Sequence, residues 1–470
     1  MPMRKTVPKL LKLCVDYVAN DIDALCSEHA KLQRVDQRLF NAIPLRPPGN
    51  VACLNHLLNH HQLFVVRIPF WPNVDLDLTH LLSRAGEQGD RLVELRVFAF
   101  LTEAFLPDVV SALSNVPRLQ RLTLKMLGIR ETVVSAITQH CTQLTEVSVS
   151  GTCLLEDCLD MFAACTNLEV LIVNCYILNP DATAPRSLQV LGLPRLRIFR
   201  CDILTQAIRL LDLSARLSLT EYLEKNRRNL QQRGALAHVL HVCPLLTTVQ
   251  LYLSGDEDLN ALQGATHIQE LSLHLWQIGS GIAFMMEFQP VLRAIGGKLK
   301  ILRLFLTNLD FTSITEHCTA LEELEICLLK WIRNYNDQQL APLMQLETFR
   351  LSLDPDPIFA LTIPGHLIAA FVPKLRQIDL EKCQLSDAQF EALLYSGKLD
   401  DLEMMRLSHV SCLTIQSLVR LMAVRSPFRL LHIYACPCIT NEDIDVLRWM
   451  VRVLNLDVVI FSDYLEFTTV

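Results

Sequence analysis

Sixteen cysteines and fourteen histidines are spread through 470 residues. Side chains of these types could ligate a metal, form disulfides, or act as nucleophile and general base. Each chemistry needs a spacing. "CPC" at Cys436 to Cys438 offers half of a zinc site, but no second Cys or His pair stands at ligand distance, so no metal centre is expected. The sequence contains no G-x-S-x-G elbow, phosphate-cradling glycine loop, H-E-x-x-H helix or dinucleotide fingerprint. "GSG" at Gly279 to Gly281 is too short for a phosphate loop and falls where a strand would turn into a helix, while His60 and His61 adjoin no nucleophile. The expectation is a non-enzyme with no cofactor.

The cysteines follow a different rule, that of an internal repeat. A phrase Leu-x-x-Leu-x-Leu, with other aliphatics allowed, begins at Leu92, Leu119, Leu144, Leu168 and Leu196. It resumes at Leu246, Ile268, Leu299, Leu321, Leu346, Leu375 and Leu402, with Phe428 and Leu456 as degenerate late copies. Outside the one gap the spacing runs from 22 to 31 residues, which straddles the period of a leucine-rich repeat. In "RLQRLTLKMLGIRETVVSAITQHC", Leu119, Leu122 and Leu124 point inward from a strand, and Val133, Val134 and Ile137 follow at helical spacing. Neither element can bury its apolar face alone, so the units must stack. Cys141, Cys165, Cys243 and Cys318 each sit three residues before a first leucine; Cys175, Cys383 and Cys436 sit seven or eight after one. Register thus accounts for them as free thiols lining turns, without disulfides.

The formal charge of -7, with 20% charged residues, asks for neither a nucleic-acid backbone nor an acidic membrane as partner. No apolar run reaches the length of a membrane helix, and Met1 to Lys12 lacks the core of a secretory signal. A soluble protein of the cytoplasm, the nucleus or both is expected. Two places break the beat. "LTQAIRLLDLSARLSLTEYLEKNRRNLQQRGALA", from Leu204, is a degenerate repeat or an inserted helical segment near 205–237. "LSLDPDPIFALTIPGH", Leu351 to His366, reads as a long loop.

"CTQLTEVSVSGTCLLEDCL" and "LLHIYACPCITNEDIDVLRWM" resemble the cysteine-containing repeats of F-box/leucine-rich-repeat proteins over roughly residues 90 to 460. The resemblance implies an α/β fold, a leucine-rich repeat solenoid or horseshoe with a parallel concave sheet and an N-terminal helical cap. Ile439 to Asp443 echo that family's helix start, with Thr440 or Asn441 as N-cap and acidic residues in the first turn.

Ahead of the array, residues 1–50 form a separate segment and 51–470 the repeats. In "VPKLLKLCVDYVANDIDALCSEH", Leu10, Leu11, Cys14, Val18 and Ile22 lie on the apolar side of an amphipathic helix, with Pro8 in its first turn. Leu10, Cys14 and Val18, four apart, resemble the elongin C-binding BC box of cullin-RING ligase substrate receptors. Val7-Pro8, Leu10-Leu11 and Tyr17-Val18 also resemble a shortened F-box, which would bind a Skp-type adaptor. A third reading makes the helix only a cap on the first repeat.

Strand residues that alternate with the inward leucines form the exposed columns. They include Arg96, Phe98, Arg200, Tyr252, His274, Arg303, Phe305, Glu325, Arg350, Asp379, Arg406 and Tyr434, with His432 beside the last. Arginine recurs at one column and aromatics one step further, the residue types that most often anchor interfaces. The function expected is target recognition on the concave face by the substrate receptor of a cullin-RING ubiquitin ligase. The partners would be an elongin C or Skp-type adaptor, a cullin, and a target protein or peptide. A non-catalytic scaffold or inhibitor is the alternative.

Overall fold

The computed structural model describes residues 65–68, 77–154, 158–177, 180–224, 234–253, 259–275, 281–306, 311–328, 340–353, 375–397, 399–423 and 427–462. The expected helix bearing Leu10, Leu11, Cys14, Val18 and Ile22, the pair His60 and His61, and the proline-rich loop beyond residue 353 lie outside the described residues. The chain divides into two compact units whose border falls within 225–245.

In the first unit the strands are β1 (Val65–Ile68), β2 (Glu94–Leu101), β3 (Arg121–Ile129), β4 (Glu146–Leu154), β5 (Val170–Ile177), β6 (Ile198–Arg200) and β7 (Glu221–Glu224). Each pairs in parallel with the next in chain order. The second unit repeats the plan with β8 (Thr248–Leu253), β9 (Glu270–Leu275), β10 (Ile301–Leu306), β11 (Glu323–Leu328) and β12 (Thr348–Leu353). It continues through β13 (Gln377–Glu381), β14 (Met404–Ser408), β15 (Leu430–Tyr434) and β16 (Val459–Ser462), again parallel and in order. Parallel neighbours require a crossover, supplied here by α-helices and 3-10 turns such as Glu131–His140, Asp160–Ala164 and Phe311–His317. The fold is a leucine-rich repeat solenoid of class α/β.

Alternation explains the sheet. Leu95, Leu122, Val147 and Leu171 are cross-strand partners in one column, as are Val97, Leu124, Val149 and, by the same count, Val173 in the next. Every one of the eight is at most 1% exposed. All fourteen first residues of the repeat phrase, from Leu92 to Leu456, are buried at 0 to 7% exposure. Burying a side chain of this kind stabilises by roughly 1.5–3 kcal/mol, and on a single strand there is nothing to bury it against.

The sequence gap contains a strand. Leu219, two residues ahead of β7, is 1% exposed, and the Thr220 N–H donates to the Arg197 carbonyl at 2.8 Å, as Thr145 does to Gln120 at 2.8 Å in an ordinary repeat. The phrase is hard to read because its inward positions hold Tyr222 and Glu224, both nearly fully buried. The Thr205 hydroxyl donates to the Glu224 carboxylate and lies 2.5 Å from the Tyr222 hydroxyl, so a polar triad fills the place of aliphatic residues. Burial, and then the charge of Glu224, pushes the Tyr222 phenol well above its ordinary value. With β1 and β7 added, the described strands number sixteen, two more than the repeat phrase shows.

Thr440 caps the helix Asn441–Val453 in a reciprocal capping box with Asp443. Between helices, Asp387 in the first turn of Asp387–Tyr395 accepts the backbone N–H of Thr414 at 2.9 Å and its hydroxyl at 2.8 Å. Burial opposes ionisation of Asp387, yet bonds from Ser417 and Thr414 outweigh it and lower its pKa. In the last repeats the residue after each strand, Lys382, His409 and Ala435, takes a positive φ of 56°, 54° and 47°. The Lys382 and His409 N–H groups then donate to the strand end of the next repeat, at Ser408 and Tyr434.

The cysteines serve the turns. Cys141 donates weakly to the Leu113 carbonyl at 3.6 Å, Cys383 to Glu381 at 3.1 Å, and Cys436 to Leu407 at 3.6 Å. Cys141, Cys165 and Cys318 accept the N–H of the first leucine through their own carbonyls. Burial pushes the thiols of Cys141, Cys201, Cys243 and Cys318 up to about 12, and those of Cys158 and Cys165 to about 11. Cys412 and Cys438 are exposed.

Two outcomes are expected. Alkylation of the native protein, followed by mass spectrometry, should modify Cys412 and Cys438 quickly and the buried cysteines only after denaturation. Leu122→Asp should cost several kcal/mol, because an unpaired carboxylate cannot be buried cheaply; a circular dichroism melt unchanged from wild type would refute the register.

Candidate binding face of the parallel sheet

One face of each sheet is filled by the inward columns; the other carries the alternating residues and is half-exposed. In the first unit it is organised around one carboxylate. Glu94, the first residue of β2, is only 2% exposed. Arg67 on β1 donates to its Oε1 through Nε at 3.3 Å and Nη2 at 3.1 Å, and Arg121 on β3 donates to Oε2 through Nε at 2.6 Å. Arg96 Nε lies 2.8 Å from Oε1 as an ion pair, but is not aligned for a hydrogen bond. Burial resists ionisation of Glu94, and the three guanidinium groups overcome it, holding the carboxyl below its ordinary value. Parallel register causes this convergence, because Arg67 faces Arg96, and Glu94 faces Arg121.

Beside this cluster, β2 skips register between Val97 and Phe100, so Phe98 falls in a bulge. The Lys125 ammonium lies 5.8 Å from the centre of the Phe98 ring. Further along the same unit, Arg200 donates to Glu221 at 2.6 Å.

In the second unit the corresponding column reads Gln250, Ser272, Arg303, Glu325, Arg350, Asp379, Arg406 and His432 from β8 to β15. Charge alternates from Arg303 to Arg406. Arg303 donates to Glu323 at 3.0 Å and lies 3.5 Å from Glu325; Arg350 reaches both carboxylates at 3.2 Å. Arg406 lies 3.6 Å from Asp379. Burial is the largest influence on Asp379 and raises its pKa against the pull of Arg406 and Arg350. Ser352 donates to Glu381 at 3.0 Å in the next column.

That next column opens with a stack. The rings of Tyr252 and His274 lie 4.3 Å apart and 5° from parallel, and those of His274 and Phe305 lie 3.9 Å apart at 10°. Three consecutive strands place them, one ring per strand, at the same register. The Gln250 amide lies 3.1 Å from His274 Nε2, and the Ser272 hydroxyl is also 3.1 Å away. With the amide as donor, Nε2 is the bare nitrogen and the proton is on Nδ1. Burial lowers the His274 pKa to about 4, so the ring is neutral near pH 7. At the far end His409 and Tyr434 meet edge to face at 5.1 Å, and Tyr434 is 40% exposed.

The exposed-column residues named from the sequence therefore all lie on this face, but the structure groups them in ways the sequence did not. Arg96, Arg200, Arg303, Arg350 and Arg406 each meet a carboxylate, so they are oriented by the protein itself. Arg67, Glu94 and Arg121 were missed. Arg67 belongs to a strand outside the fourteen copies of the repeat phrase, and Glu94 and Arg121 open their strands one residue ahead of the inward Leu95 and Leu122. Among the described residues no group of three or more His, Cys, Asp or Glu side chains is placed to hold a metal ion, and no helix is long and apolar enough to cross a membrane.

No protein-family model matches the chain, and no curated protein matches it. Similar solved structures include yeast Rad7 in its complex with Elc1, at 13% identity and TM-score 0.37, covering 93% of this chain and 91% of that one. An internalin, InlF of Listeria monocytogenes, is similar at 13% identity and TM-score 0.31, over 89% of this chain and 95% of that one. TLR13 in complex with ssRNA13 is similar at 15% identity and TM-score 0.39, over 87% of this chain and 63% of that one. The assignment of the fold rests on the strand order and the buried leucine register described above.

Linkage gives a test of the ring stack. An unfolded histidine titrates near 6.5, whereas the folded ring resists protonation down to about 4. The unfolded chain therefore binds more protons across that window, and stability is full above pH 6.5 and falls as pH drops towards 4. Urea midpoints at pH 7 and pH 4.5 should differ less in His274→Phe than in wild type; equal acid sensitivity would rule out a depressed His274.

Proposed function

We propose that this chain is a non-catalytic recognition subunit that binds a target protein on the open face of its sheet. In this reading, residues 51–470 select the target. The helical segment within residues 1–50 docks an elongin C or Skp-type adaptor of a cullin-RING ubiquitin ligase. The observation that carries the recognition half is the row of half-exposed arginines and stacked rings, held by neighbours on the same or an adjacent strand. Such side chains present large area and directed donors with little freedom left to lose on binding. The adaptor half rests on the spacing of Leu10, Cys14 and Val18, which lines one side of a helix with knobs for a partner's groove.

The test is capture from cells with the full chain and with Leu10→Ala combined with Cys14→Ala. Each lost anchor is worth roughly 1–3 kcal/mol when buried, so adaptor affinity should fall by a factor on the order of 30 or more. Melting temperature should stay near the wild-type value. If wild type captures no elongin, Skp-type adaptor or cullin and the double variant merely melts earlier, the helix is a cap and the protein is a scaffold or inhibitor.

A further inference from the structure

The open face of β1 to β3 gathers more positive charge at one point than the fold can use. Arg67, Arg96 and Arg121 surround the single carboxylate of Glu94, which leaves a surplus of two positive charges. Counting Glu146, which faces Arg121 from β4, and Lys125, further along β3 beside Phe98, leaves the surplus of the patch at two. Glu94 is buried beneath the guanidinium groups, while the arginine side chains stay 43%, 32% and 43% exposed. Arg96 and Arg121 approach the carboxylate through Nε, and Arg67 through Nε and Nη2. Terminal N–H groups of all three remain for a second anion.

The stoichiometry selects the anion. A carboxylate would neutralise half of the surplus, whereas a phosphate monoester carries about -1.5 to -2 at neutral pH. Three guanidinium groups held around one carboxylate can converge on a single tetrahedral anion, and planar forks match phosphate oxygens well. A nucleic-acid backbone needs cations repeated at the spacing of its phosphates. The face continues across β4 and β5 with Ser148, Ser150, Ile172 and Asn174 instead, and the chain carries -7 overall.

We infer that the Arg67, Arg96 and Arg121 cluster recognises a phosphorylated serine or threonine side chain of a partner protein. The inference rests on the open face being a binding surface. Glu94 is a positioning residue: it holds three guanidinium groups in place before any partner arrives, and its buried charge keeps them from repelling one another apart.

Fluorescence anisotropy tests this on the full chain. The probes are fluorescein-labelled nonapeptide pools, degenerate except for a central phosphoserine or a central serine, and a labelled oligothymidylate nonamer. The phosphoserine pool should bind and the serine pool should not. Arg67→Gln and Arg121→Gln each leave Glu94 with two partners, so both should fold and lose at least about tenfold in affinity, as expected for a charged hydrogen bond. Arg452→Gln, in the last turn of the helix Asn441–Val453 and off the sheet, should bind as wild type does. Melting curves accompany each variant, and Arg67→Lys, which keeps the charge without the fork, should lose less than Arg67→Gln.

Equal binding of the serine pool, tighter binding of the oligonucleotide, or equal losses in Arg452→Gln would each overturn the inference. So would a wild-type chain that ignores phosphoserine while still capturing an adaptor or cullin in the experiment above. A chain that captures neither adaptor nor cullin would instead sink the receptor reading itself.

Discussion

Stacking of apolar columns is the constraint on which everything else in this protein depends. A strand of the form x-Leu-x-Leu sends every second side chain to one side, and a lone strand with its helix has nothing there to bury them against. Leu122 is buried because Leu95 and Val147 stand at the same register on either side. The same register delivers the opposite face. Once the leucines are aligned, the alternate residues must also form columns, whatever their chemistry. Charge pairs and ring stacks on the open face are consequences of a packing rule that never refers to them.

The packing rule was legible because it is local and repeated. First leucines, the strand alternation of Leu122 and Leu124, the helix of Val133, Val134 and Ile137 and the Thr440 cap all follow from spacing within one unit. What failed to show was whatever depends on two units at once. Arg303 meets Glu323 from twenty residues away, and Glu94 meets Arg67 and Arg121 from twenty-seven on either side. Those pairings exist only when the strand register is known to the residue. β7 was hidden for another reason: a buried Glu224 contradicts the hydrophobic pattern, and it is tolerated because Thr205 and Tyr222 satisfy it. The bulge at Phe98 likewise has no local signature. The adaptor-binding residues from Leu10 to Ile22 stand on sequence spacing alone.

The ion pairs of the open face say little about stability. Exposed or half-exposed pairs are worth roughly 0–1 kcal/mol at most sites, and the alternation from Arg303 to Arg406 is of that kind. Their physical effect is orientation. An arginine already held by a carboxylate has fewer rotamers to lose when a partner arrives, which lowers the entropic cost of association. Tyr252, His274 and Phe305 are restrained in the same way, each ring by the one on the next strand.

The two units differ in how that orientation is charged. On β1 to β3 three arginines stand around one carboxylate, so the face is short of anions. On β9 to β14, Glu270, Glu323, Glu325, Asp379 and Glu381 outnumber Arg303, Arg350 and Arg406, and the upward shift of Asp379 marks a carboxyl that its arginines do not fully compensate. One surface therefore gains by accepting negative charge and the other by accepting positive charge. Like-charge juxtaposition costs more than an exposed pair gains, so such a division excludes partners more strongly than it attracts them. The repeat supplies area, which many proteins would fit. The sign of the charge in each register column is what limits the choice.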